Sequence, residues 1–179
     1  RLQAQQEYLE EIRKRREAET QLVYSASHHE ITGLPNRLLF EKSIRPYIEK
    51  PDPGKESVSI FLLHVRRFDD VNKTLGHRNA DVLLCRIGER INSVVSNHKG
   101  AIPLDKRDDG SVYAAHIEGV SFCFSIAQET RDETLAEVDN LMKLMSAPVE
   151  FMGLSIELSF LVGCSFAKST DSDPQTLLR

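Results

Sequence analysis

The sequence predicts an α/β chain of the α+β kind, with helices packed on a central mixed sheet that has an antiparallel part. Two observations carry this. Residues 57–65 (SVSIFLLHV) form a short, almost continuous apolar run, as expected of a strand covered on both faces. Two strand-like runs, 111–117 (SVYAAHI) and 121–127 (SFCFSIA), are joined by a tight Glu118-Gly119 link that reads as a β-hairpin and interrupts the alternation of helix and strand. The 179 residues, 40 % hydrophobic and 28 % charged, suit one globular domain plus a short appendage.

The appendage comes first. Residues 1 to about 24 lack Gly and Pro and are dense in Glu, Arg, Gln and Ala, which predicts a helix. Leu2, Leu9, Ile12 and Val23 follow a heptad loosely, but Arg16 and Glu19 interrupt the seam, so a coiled coil and a solvated connector both fit. After SASHHE the pattern becomes that of a compact domain, with a turn at Thr32-Gly-Leu-Pro-Asn36 and a helix over 37–49 bearing Leu38, Leu39, Ile44 and Ile48. The expected division is 1–26 for the connector and 27–179 for the domain.

The remaining elements follow in order. Residues 79–96 place Val82, Leu83, Ile87, Ile91 and Val94 at helical spacing, with Asn79 as the expected cap. A helix over 131–146 carries Leu135, Val138, Leu141 and Leu144, and 154–166 reads as a last strand. Asp173 to Arg179 resembles a helix start, which reads as a cut through a larger protein.

Composition excludes several functions. A net charge of -4 argues against general nucleic-acid binding. No apolar run approaches the roughly 20 residues of a membrane-spanning helix, and the polar opening is not a signal peptide. Cys85, Cys123 and Cys164 lie in apolar runs and are expected to be buried reduced thiols, which fits a cytoplasmic setting, including the cytoplasmic part of a membrane-anchored protein. The six histidines lack zinc-like spacing and are expected to be structural or at the surface. Asp105 to Gly110 resembles a calcium loop but has His116 at the twelfth place, so a solvated turn is expected.

Three segments, in this order, resemble the GGDEF family of diguanylate cyclases. Ile31-Thr-Gly-Leu-Pro-Asn-Arg37 is similar to its opening motif, an Asp, one residue and then LTGLxNR. Leu63 to His77, continuing to Ala80-Asp81, resembles the metal strand and guanine pocket. Glu118-Gly119-Val120-Ser121-Phe122 occupies the place of the signature. The resemblance spans roughly residues 27–179. It implies a fold related to nucleotide-cyclase and polymerase palms, an ancestral condensation of two GTP into cyclic di-GMP across a homodimer, and an N-terminal signalling helix.

The same resemblance implies that the chemistry is lost. Magnesium takes oxygen ligands, chiefly carboxylates, in phosphoryl transfer. The positions that match the family's metal carboxylates are His64, Arg66 and Val120; Glu118 replaces the first signature Gly, Ser121 a guanine-contacting Glu, and Asp69 a phosphate-binding Lys. Asn72 and Asp81 match the guanine-recognising pair, although Asn72 capping or closing the loop and Asp81 starting the following helix is the structural alternative. The inhibitory product site, Arg-x-x-Asp, falls on Asp109 and Val112 and reads as absent.

The expected function is therefore a degenerate regulatory module, dimerising through the leading helix and coupling an upstream sensor to a downstream EAL-like domain. No cofactor is expected, and Mg²⁺ only if residual GTP binding exists. The alternatives are a GTP-binding allosteric sensor using Asn72 and Asp81, and a protein-interaction adaptor using the Glu118–Ser121 hairpin or the Arg66-Arg67 pair.

Overall fold

The computed structural model describes residues 1–55, 57–128 and 130–167, and the backbone alone at Arg131. Helix α1 (Leu2–Ser27) leads into α2 (Arg37–Glu49), strand β1 (Ser57–Val65), α3 (Phe68–Leu75) and α4 (His77–Ser96). Two short strands, β2 (Asp105–Arg107) and β3 (Gly110–Val112), pair as a hairpin, followed by β4 (Ala115–Glu118) and β5 (Ser121–Gln128). Helix α5 (Arg131–Met145), a small hairpin of β6 (Val149–Phe151) and β7 (Leu154–Ile156), and β8 (Phe160–Ala167) complete the described chain. The central sheet has the order β4-β5-β1-β8, and its described pairings are all antiparallel.

Strand β1 is central for the reason its composition gives. Phe61, Leu63 and Val65 enter one core with α4, α5 and the β5 residues Phe122, Phe124 and Ile126. Val58 and Ile60 point the other way, into a core with Phe40, Ile44 and Ile48 of α2. Covered on both faces, the strand has few positions at which a polar side chain is tolerated. Gly100 enters this packing closely, since a Cβ there would lie 2.3 Å from the Ala127 carbonyl oxygen.

The helices begin where side chains satisfy their free N–H groups. Asn36 accepts from Leu39 N at 3.1 Å and caps α2. Thr130 and Glu133 form a reciprocal capping box on α5. At the other end of α5, Arg90 donates to the Ala147 and Pro148 carbonyls and Arg86 to Glu150, lying also over the Phe151 ring.

Several details differ from the sequence expectation. Asn79 is no cap: α4 begins at His77 behind Gly76, whose φ of 75° suits glycine, and Asn79 Nδ2 instead donates to the Leu75 carbonyl. Asp81 lies beyond the first turn, so it does not start the helix. Residues 68–75, read only as part of a motif, form helix α3. The run 111–117 breaks after Val112 because Asn92 Oδ1 accepts from the N–H groups of Tyr113 and Ala114. The run 154–166 breaks likewise, β7 turning back on β6.

The apolar stripes match the expectation at Ile44, Ile48, Leu83, Ile87, Ile91 and Leu141, which are buried, and depart from it at their margins. Leu38, Val82, Leu135 and Leu144 are exposed, while Phe40, Leu84, Thr134 and Met145 are buried. Periodicity fixes that a helix is amphipathic, but docking selects which neighbouring row faces the sheet. Of the cysteines only Cys123 is buried; Cys85 is half-buried and Cys164 exposed, because their strand and helix faces look outward. Asp105–Gly110 is the β2–β3 hairpin and its turn. The predicted helix start at 173–179 lies outside the described residues. No helix of the described residues is long and apolar enough to cross a membrane.

Candidate functional site

The end of β1 and the tip of the β4–β5 hairpin meet. Glu118 pairs with Ser121, leaving Gly119 and Val120 to turn the chain, and Gly119 has a φ of 52° that favours glycine. His64 lies opposite Ser121 in the ladder, and its Nδ1 is 3.0 Å from Ser121 Oγ. Val65 N donates to the Val120 carbonyl at 3.1 Å and Arg66 N to the Ser159 carbonyl at 2.8 Å. The fold thus gathers His64, Arg66 and Val120 at one end of the sheet. His64, Arg66 and Glu118 are exposed, Val120 is half-buried, and Phe122 is fully buried.

Beyond β1 the chain turns through Arg67, whose φ of 56° is rare for a side chain with a Cβ, and Arg67 Nε donates to Asp70 Oδ2 at 2.9 Å. Asn72 follows on α3, half-buried, its carbonyl accepting from Gly76 N. Asp81 is exposed on α4. The pair therefore sits on two consecutive helices. Asp109 and Val112 do not form a site with them: Asp109 is in the β2–β3 turn and Val112 points into the core. Arg107, two residues before Asp109, is engaged by Asp105 and the Gly33 carbonyl. Arg107, Asp109 and Val112 line a cleft of about 290 Å³ with Glu89 and Asn92.

The hairpin is held from behind by His116. Its Nε2 lies 2.8 Å from the Gly119 carbonyl, which can only accept, so Nε2 carries the proton and Nδ1 accepts from Thr32 Oγ1 at 3.0 Å. The ring is sandwiched between His29, at 3.5 Å between centroids, and Phe122, at 4.7 Å. Burial lowers its pKa from 6.5 to about 4, against the pull of the Gly119 carbonyl, and burial also lowers that of His29. A neutral imidazole is what the two hydrogen bonds require.

Sequence reasoning expected His116 to be merely structural or at the surface and gave it no place in the site. Two signals were available: a polar residue inside an apolar strand run, and His29 standing where the opening motif has an Asp. On the other side of the loop, His28 Nε2 lies 3.0 Å from Asp105 Oδ2. Burial of Asp105 opposes ionisation, but hydrogen bonds from His28 and Arg107 outweigh it and hold the carboxyl below its ordinary range.

An Mg²⁺ ion fits this end of the sheet poorly. Imidazole engaged with a hydroxyl, a guanidinium and an isopropyl group are not the hard oxygen donors it requires, and an arginine repels a cation.

An antiparallel sheet with helices on both faces and a hairpin beside the end of its central strand defines a cyclase-type palm domain. The family model described as "Diguanylate cyclase, GGDEF domain" matches residues 26–179, and the chain belongs to that family. Among curated relatives, an uncharacterized signaling protein of Caulobacter vibrioides is 27 % identical over 157 residues, covering 87 % of this chain and 18 % of that protein. Diguanylate cyclase TpbB of Pseudomonas aeruginosa is 25 % identical over 159 residues, 88 % of this chain and 34 % of its own length. The chain thus spans between 18 % and 34 % of the length of these relatives. Among solved structures, a sensory box/GGDEF family protein from Caulobacter crescentus superimposes with a TM-score of 0.67 at 23 % identity, covering 85 % of this chain and 90 % of the other. The coiled coil and GGDEF domain of DgcB from the same organism reaches 0.68 at 16 % identity, covering 96 % and 85 %. At these identities the structural likenesses speak for the fold alone.

Proposed function

We propose that this is a catalytically inactive GGDEF domain, a regulatory and dimerisation module in cyclic di-GMP signalling. The observation that carries the reading is the side-chain set at the end of β1 and the hairpin: His64, Arg66 and Val120 where metal carboxylates belong, with Glu118 and Ser121 beside them. Removing the oxygen ligands removes the means of neutralising charge on a transferring phosphoryl group. Residues 1–26 would then serve as the connector and dimerising helix and 27–179 as the module, in a cytoplasmic chain linking an upstream sensor to a downstream EAL-like domain.

Incubation of concentrated protein with GTP and Mg²⁺ or Mn²⁺ is expected to yield no cyclic di-GMP above a protein-free blank. Product above that blank overturns the reading.

Asn72 and Asp81 favour one alternative, because an amide and a carboxylate on neighbouring helices suit a guanine edge. In that reading GTP binds without turnover and biases the neighbouring domain, which demands different affinity for two states. Saturable GTP binding by calorimetry, abolished in Asn72→Ala and Asp81→Ala, would favour the sensor over the purely structural module. The hairpin or the Arg66-Arg67 pair as a contact for a protein partner is the third reading.

A further inference from the structure

We infer that the base of α1 is energetically coupled to the tip of the β4–β5 hairpin through a chain of contacts centred on the His29–His116 stack. This coupling deepens the regulatory reading and rests on it only for the use to which a signal is put. The contacts exist whether or not the domain turns over GTP.

The links are continuous. Tyr24, in the last turns of α1, donates from its hydroxyl to the Gly33 carbonyl at 3.2 Å, and its ring stacks on His28 at 3.8 Å. Asn36 donates through Nδ2 to the Ala26 carbonyl and through its backbone N to that of Ser27, both at 2.9 Å. His28 ties the same turn to Asp105. The loop between these anchors is closed on itself, His29 N donating to the Leu34 carbonyl and Gly33 N to that of His29, each at 2.8 Å.

From that loop three contacts converge on one buried residue, two of them on its ring and one on its backbone. The His29 imidazole lies against His116, Thr32 Oγ1 hydrogen-bonds its Nδ1, and the Pro35 carbonyl accepts from its backbone N at 2.9 Å. His116 is 0 % exposed, and Phe122 closes its other face. Its remaining polar atom donates to Gly119. A close-packed interior does not deform continuously, so movement of the loop must either carry the His116 ring or break a contact with it. In the first case the Gly119 carbonyl loses its alignment with Nε2, and in the second His116 loses part of the support that fixes its ring against Gly119. One loop thus separates the end of the signalling helix from the signature hairpin, and the residues that fill the gap are histidines of this chain.

The coupling is tested by amide hydrogen exchange on the whole chain, read at Gly119–Ser121, in a cycle of variants. Tyr24→Phe and His28→Ala loosen the base of α1 from outside the core. Each is expected to accelerate exchange at the hairpin by about tenfold, the loss of protection that one weakened buried hydrogen bond produces. In a His29→Ala background, which removes the stack, the same substitutions should change hairpin exchange by less than about twofold. Thr32→Val provides a second route to the same break if His29→Ala folds poorly.

Two outcomes overturn the inference: hairpin exchange unmoved by both α1-base variants, or acceleration of equal size with and without the His29 ring. Neither outcome bears on the absence of cyclase activity, which the nucleotide assay reads separately.

Discussion

His116 shows how one buried side chain makes a local requirement into a property of the protein. The unfolded chain takes up a proton on this ring near pH 6.5, whereas the folded ring resists until about 4. The contribution is therefore intact above pH 6.5 and declines as pH falls through that window, at a slope of at most about 1.4 kcal/mol per pH unit. Asp105 acts in the same sense lower down, since a carboxyl held below its ordinary range loses its stabilising effect as pH falls through the folded value. Thermal unfolding midpoints are expected to drop between pH 7 and pH 5, with a shallower drop in His116→Gln. A variant that keeps the wild-type slope would assign the acid sensitivity to another group.

At the scale of the element, α5 depends on its ends more than on its face. Among its described side chains only Thr134, Leu141 and Met145 are buried, and the Thr134 hydroxyl is engaged by Ser59 and Gln128. The capping box at Thr130 and Glu133 and the Arg90 clamp beyond its C-terminus fix where it begins and ends. Thr130→Ala removes an acceptor for the first-turn N–H groups and is expected to destabilise the domain by about 1 kcal/mol, seen as a lower urea midpoint with unchanged slope. An unchanged midpoint would mean that packing of α5 alone sets its boundaries.

At the scale of the whole molecule, α1 is the unusual part. None of its 26 residues is buried, and Leu2, Tyr8, Leu9, Leu22 and Val23 are exposed. Its ion pairs, such as Arg15 with Glu11 at 2.9 Å, are exposed to solvent and contribute little. An isolated helix without a packed face is marginal in water, so a partner for this stripe is expected. The proposed dimer through α1 predicts that removing residues 1–22 converts dimer to monomer in sedimentation, with the domain's own thermal transition retained. A full chain that sediments as a monomer at high concentration defeats this arrangement.

By itself the sequence determined the principal helices α1, α2, α4 and α5, the central place of β1 and the hairpin at Glu118-Gly119. All of these rest on local periodicity or on motif spacing, which the chain carries without reference to its fold. Only the tertiary structure decided which residues at the margins of the α2, α4 and α5 stripes are buried, where the runs at 111–117 and 154–166 break, and that Asp105 serves His28. It alone brought His29, Thr32 and Gly119 onto His116, residues up to 87 positions apart by their numbers. Hydrogen bonds across such separations depend on which groups are left unsatisfied when the sheet and helices close on each other, and no local pattern records that.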